Sequence, residues 1–317
     1  QKTLHMRYPR AILVSCELPW DERGNLIEDF FRDEICRFLK FGFRHIYIFG
    51  TAGEGYAVDT ARFQRIVEVF FDETRAADAF PQVGIIGLST ANVQERISIA
   101  YKIGFRCFQL SLPPWGALND QEVLRFFRDV CLDHMDCQFL HYNLPRAKRV
   151  LRGTDYRRIA DEIPNLVATK NTSPDVTHTV SLLRSAPDLQ HFLGEATFPL
   201  GCSFGECSLL ASFAGLFPSK TAMLFEYACA GKIEALSRLH AEYLIAMEEI
   251  LEPMKRRSLM DGAYDKLLVR LGGAQMPLRL LSPYESLSEE VYLECKRIVD
   301  GKYANWSDQS FGQSGPM

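Results

Sequence analysis

No stretch of this 317-residue chain approaches the roughly 20 consecutive apolar residues that a bilayer-crossing helix requires. Nor is there a long basic run. The 36 Lys and Arg against 40 Asp and Glu leave a net charge of −4, which offers a nucleic-acid backbone no electrostatic footprint. Residues 1–10 lack the apolar core of a signal peptide. The nine cysteines contain no CxxC pair and are odd in number. Most sit among apolar neighbours, as in Arg106-Cys107-Phe108, where a free thiol packs as a small hydrophobe. A disulfide framework is excluded, and the expected compartment is reducing, the cytosol. The cluster Cys131, His134 and Cys137 lacks a fourth ligand and the paired spacing of a zinc site, so no metal or other cofactor is expected.

What the chain does have is an ordinary globular composition, 47% hydrophobic and 24% charged, and a repeating pattern. Short apolar runs recur at Ala11–Cys16, His45–Phe49, Gln82–Leu88, Cys107–Leu112, Gln138–His141, Leu166–Thr169, His191–Leu193 and Cys207–Ala211. They are nearly continuous rather than alternating, as expected of strands buried on both faces. Amphipathic stretches lie between them. Gln121–Cys131 is preceded by Asn119 as an N-cap, with Glu122 completing a capping box, and Ser173 followed by Pro174 marks another helix start. Eight strand–helix units with right-handed crossovers close naturally into a (β/α)8 TIM barrel, with an open doubly wound sheet as the alternative. The barrel is expected over residues 8–230 and a helical extension over 231–302, with helices at Phe225–Cys229, Ile233–Leu251, Tyr264–Leu271 and Leu287–Val299. The polar segment 303–317 is expected to be disordered.

A barrel of this kind builds its active site at the carboxyl ends of its strands. Three strand ends carry unusual residues: Gly50-Thr51-Ala52-Gly53-Glu54-Gly55, His141-Tyr142-Asn143-Leu144-Pro145, and Ala168-Thr169-Lys170-Asn171. Lys170 follows a buried strand, where desolvation lowers a lysine pKa and yields the free amine that attacks a carbonyl. By itself it could equally be a surface lysine at the start of a loop. Tyr142 offers a phenol for proton transfer, although a lone buried tyrosine more often only satisfies a backbone group. The turn at Gly50–Gly55 can present backbone N–H groups to a carboxylate, or be a plain turn.

Taken together, Gly50-Thr51-Ala52-Gly53-Glu54, Tyr142-Asn143-Leu144-Pro145 and Lys170 resemble, in order and spacing, the dihydrodipicolinate synthase / N-acetylneuraminate lyase family. The segment from Glu17 to Asn25 is similar to that family's first loop. The resemblance implies a homo-oligomer, a tetramer or dimer, acting on pyruvate or another 2-oxo acid as its small-molecule partner. It makes Lys170 the Schiff-base lysine and Tyr142 the proton shuttle. Thr51 would link that tyrosine to solvent or substrate, the Thr51–Ala52 turn with Gly50 and Gly53 would hold the carboxylate, and Cys207 would supply a backbone contact. Three departures stand out. Ala52 replaces a second hydroxyl residue, Pro114-Trp115-Gly116 replaces an interface tyrosine, and the arginine expected two places after the proline falls on Ala147, with Arg146 adjacent. The expected activity is a Schiff-base aldolase, lyase or dehydratase whose second substrate is not aspartate semialdehyde. The alternatives are a 4-hydroxy-tetrahydrodipicolinate synthase in which Arg146 covers the shifted position, and a silent keto-acid-binding barrel.

Overall fold

A computed structural model describes residues 6–307. Eight parallel strands follow in chain order: β1 (Ile12–Ser15), β2 (His45–Ile48), β3 (Gln82–Ile85), β4 (Cys107–Leu110), β5 (Gln138–Asn143), β6 (Leu166–Asn171), β7 (Gln190–Gly194) and β8 (Ser208–Ala211). Strand β1 pairs with both β2 and β8, which closes the barrel and rules out the open sheet. Around it lie α1 (Glu28–Phe41), α2 (Thr60–Thr74), α3 (Thr90–Ile103), α4 (Asp120–Cys131), α5 (Gly153–Glu162), α6 (Val176–Ser185), α7 (Phe198–Gly201) and α8 (Pro218–Cys229). No helix among the described residues is long and apolar enough to cross a membrane.

The strands read as continuous apolar runs because each of their two faces meets a different apolar layer. Outward-facing residues such as Val14, Ile46, Ile48, Val83 and Phe139 pack with the helices into one large core. Leu13, Tyr47, Leu140, Ala168, Phe192 and Leu210 form a separate cluster that fills the barrel. Lys170 lies two residues beyond Ala168 on β6, and Tyr142 two beyond Leu140 on β5, so the period of two brings both to the interior face.

Two helix starts invite comparison with the sequence. The Asn119–Glu122 capping box of α4 is present, each side chain accepting the other's backbone N–H. Helix α6 instead begins at Val176 with Asp175 as its cap, accepting from Thr177 N at 2.8 Å, while the Ser173 hydroxyl accepts from Asp175 N. A carboxylate closer to the first turn wins the cap from the Ser-Pro pair.

After the barrel come α9 (Ile233–Ile250), α10 (Asp261–Leu271) and α11 (Glu289–Lys302). Helix α8 starts at Pro218, seven residues earlier than its apolar segment suggests, because proline suits the first helical position. Helix α10 starts three residues earlier than expected, at Asp261, where an acid favours the first turn. Part of the segment read as disordered is folded. Tyr303 and Trp306 pack their rings on Phe217 at 6.2 and 5.2 Å between centroids, continuing the extension to Ser307. The rest of that segment lies outside the described residues.

Candidate active site

The turn after β2 is tightly wound. Phe49 and Glu54 both take left-handed backbone conformations, with φ of 63° and 55°. A Cβ at Gly50 would lie 2.9 Å from the Tyr47 ring and 3.2 Å from Lys170 Nζ, so the backbone approaches the lysine only because the residue is glycine. A Cβ at Gly53 would lie 2.8 Å from the Phe49 nitrogen. Among the described residues the N–H groups of Thr51 and Ala52 have no backbone acceptor, which leaves two donors for an anion. The Thr51 hydroxyl stands 3.5 Å from the Tyr142 hydroxyl, a long hydrogen bond in which Thr51 donates.

Tyr142 and Lys170 are direct partners in the β5–β6 register. Lys170 is 1% exposed. Its Nζ lies 3.6 Å from the centroid of the Tyr142 ring and 4.2 Å from that of Tyr47, and donates to Gln109 Oε1 at 3.1 Å. Burial pulls its pKa down to about 7, against the opposing pull of Asp261, Asp265 and Glu17. At neutral pH a large share of this amine is therefore uncharged and nucleophilic. Tyr142 is pushed up to about 12, chiefly by burial, with Thr51 opposing, and so holds its proton.

Gln109 belongs to a chain of amides that runs down the barrel axis. Its Nε2 donates to Gln82 Oε1 at 2.8 Å, and Gln82 Nε2 donates to Tyr8 Oη at 2.9 Å. Each donor thereby fixes the next amide, and the Gln109 oxygen is left for Lys170. Inward positions on strands that read as apolar runs carry no signature of this, and neither Gln109 nor Tyr47 stood out in the sequence.

Lys170, Tyr142, Thr51 and Ala52 line one cavity of about 270 Å³. Its opposite wall is α10, which contributes Asp261, Tyr264, Asp265 and Leu268. The spacing i, i+3, i+4, i+7 puts all four on one helical face. That face was the one legible signal in the sequence for a role of the extension at the site. Two contacts hold the helix there. Gly262 lies so near the Ala52 carbonyl that a Cβ would be 2.8 Å away, and Lys266 makes a fully buried ion pair with Glu54 at 2.7 Å.

Two residues expected at the site lie elsewhere. Arg146 does not line the cavity; its guanidinium pairs with Asp261 at 2.7 Å on the exposed rim. Cys207 precedes β8, at the end of the barrel away from the mouth, where its carbonyl accepts from Arg10 Nε at 2.8 Å. The mouth end of β8 instead supplies Leu210, Ala211 and Ser212. At neighbouring strand ends, His141 Nδ1 bonds the Tyr156 hydroxyl at 2.6 Å and Glu195 accepts from the N–H groups of Ser212 and Phe213.

A buried lysine with a depressed pKa, facing a tyrosine at the mouth of a barrel, defines a class I lyase or aldolase, an enzyme that works through a Schiff base. The chain belongs to the dihydrodipicolinate synthetase family, which matches residues 9–302. It is 28% identical over 233 residues to 4-hydroxy-tetrahydrodipicolinate synthase of Thermus thermophilus, a match covering 72% of this chain and 77% of that protein. It is 22% identical over 186 residues to N-acetylneuraminate lyase of Citrobacter koseri, covering 58% and 62%. The fold is similar to that of YagE, a prophage protein of the dihydrodipicolinic acid synthase family from Escherichia coli K12, solved with pyruvate. The TM-score there is 0.83 at 16% identity, over 92% of this chain and 97% of that one.

Proposed function

We propose that Lys170 forms a Schiff base with pyruvate or another short 2-oxo acid, and that the enzyme makes or breaks the bond between C3 and C4 of a hydroxylated 2-oxo acid. The observation that carries this reading is the Lys170 amine, sealed in the barrel between Tyr47, Tyr142 and Gln109. In this reading the amine adds to the C2 carbonyl to give a carbinolamine. Tyr142 donates the proton with which the hydroxyl leaves as water, and recovers it through Thr51. The N–H groups of Thr51 and Ala52 hold the carboxylate. The reading includes a homo-oligomer, tetramer or dimer, working in the cytosol.

Borohydride reduction in the presence of pyruvate is expected to add one covalent adduct per chain, read by intact mass and mapped to Lys170 by peptide sequencing. An adduct on another lysine, or none, overturns the reading.

Aspartate semialdehyde is expected to be a poor second substrate. A synthase needs a free cation for its carboxylate, and the nearest candidate, Arg146, is engaged by Asp261. The charged residues that α10 brings to the cavity, Asp261 and Asp265, are acids. Steady-state condensation with pyruvate should give a kcat/KM below the enzymatic range of about 10⁴ M⁻¹ s⁻¹. A value above it, lost in Arg146→Ala, would make the protein a synthase.

A further inference from the structure

Asp265 shares the cavity with Lys170, Tyr142 and Thr51, on the wall facing them. Its side chain is half-buried and makes no hydrogen bond or ion pair among the described residues. Its neighbour one turn back, Asp261, has its charge taken up by Arg146. Lys266, the next residue, points to the other side of the helix and is taken up by Glu54. The extension therefore delivers one unengaged carboxyl group into the cavity that holds the amine.

We propose that Asp265 is the acid–base residue of the carbon–carbon bond step, serving the oxygen on C4 of the substrate; this rests on the Schiff-base reading above. In cleavage, the Asp265 carboxylate takes the proton of the C4 hydroxyl, and the C3–C4 bond breaks. The electron pair of that bond moves into the C2 iminium, leaving an enamine on Lys170 and a free aldehyde. Tyr142 then protonates C3, water hydrolyses the iminium to release the 2-oxo acid, and solvent takes the proton from Asp265 and restores that of Tyr142. In condensation the same carboxyl group, protonated, donates to the aldehyde oxygen as C3 attacks.

The surroundings suit both directions. Burial, together with Glu17, Asp261 and Glu195, pushes Asp265 well above the usual carboxylate range, with Lys170 opposing. A carboxyl group raised in this way takes a proton more readily than an ordinary carboxylate and holds it ready to donate. Tyr142, held protonated, is left to the imine and to C3. An uncompensated acid on this wall also selects against a carboxylate on the distal part of the substrate, and favours a neutral hydroxylated one.

The test separates two reactions of one enzyme. Exchange of the pyruvate C3 protons in D₂O reports the enamine, and condensation of pyruvate with glycolaldehyde or glyceraldehyde reports the carbon–carbon step. In Asp265→Asn, an isosteric change that removes the acid, the ratio of condensation to exchange is expected to fall about 10²-fold or more. Borohydride trapping of pyruvate in the variant shows that the barrel is intact. An unchanged ratio, with both rates kept or both lowered together, overturns the proposal. So does a wild-type enzyme that traps and exchanges pyruvate but condenses it with neither aldehyde. A wild-type enzyme that fails to trap pyruvate at Lys170 overturns the Schiff-base reading itself.

Discussion

Lys170→Ala is expected to abolish borohydride trapping and to lower turnover about 10⁴-fold or more, since no other group can form the covalent intermediate. The wild-type enzyme should show the reason in its pH dependence. With its pKa lowered to about 7 by burial, Lys170 is mostly free amine above that pH and mostly ammonium below it. The rate of adduct formation should therefore be nearly flat at alkaline pH and fall about tenfold for each unit below neutral. An exposed lysine, titrating near 10.4, would instead give a rate still climbing above pH 9. The measurement is the single-turnover rate of pyruvate adduct formation at fixed concentration between pH 5 and 10. A rate rising through the whole range would mean that the amine is solvated, and that the Tyr47–Tyr142–Gln109 enclosure does not hold in solution.

The barrel was legible in the sequence because its strands are buried on both faces, so each one reads as an apolar run whichever face is considered. Lys170 was legible for a related reason: a cation ending such a run is anomalous. The strands β5 and β6 run on to Asn143 and Asn171, two residues past the apolar runs, because the residues that end them are polar and face the cavity or one another. Gln109 and Tyr47 stayed hidden because one polar or aromatic residue within an apolar run leaves no periodic trace. Arg146 and Cys207 were placed by likeness to a motif, and a motif fixes neither which neighbour engages a guanidinium nor which end of a strand a residue occupies. Asp265 is the most instructive omission. Helix α10 does carry the pattern Asp261, Tyr264, Asp265, Leu268, but an acidic stripe on a helix ordinarily faces water. What turns this stripe inward is a contact distant in the chain.

That contact is the pair of Lys266 with Glu54, and it supports the second large expected effect. Glu54 is fully buried, and its carboxylate accepts from Lys266 Nζ, Trp20 Nε1 and Leu281 N, each at 2.7 Å. Lys266 also donates to the Arg279 carbonyl. Four segments of the chain thus meet on one ion pair: the first loop, the glycine-rich turn, α10 and the strap before α11. Replacing a buried pair by apolar residues is often neutral, but removing one partner strands the other charge. Lys266→Met is therefore expected to cost about 3–5 kcal/mol, read as a fall in the guanidinium midpoint with unchanged slope. Glu54→Gln added to Lys266→Met removes the stranded charge, keeps an acceptor for Trp20, and should recover part of the loss. In the single variant, activity should fall further than stability predicts under conditions where the chain stays folded, because α10 loses the anchor that sets Asp261, Tyr264 and Asp265 across from Lys170. A loss below about 1 kcal/mol, the range of an exposed pair, would mean that Gly262 packing on the Ala52 carbonyl holds the helix without help from the ions.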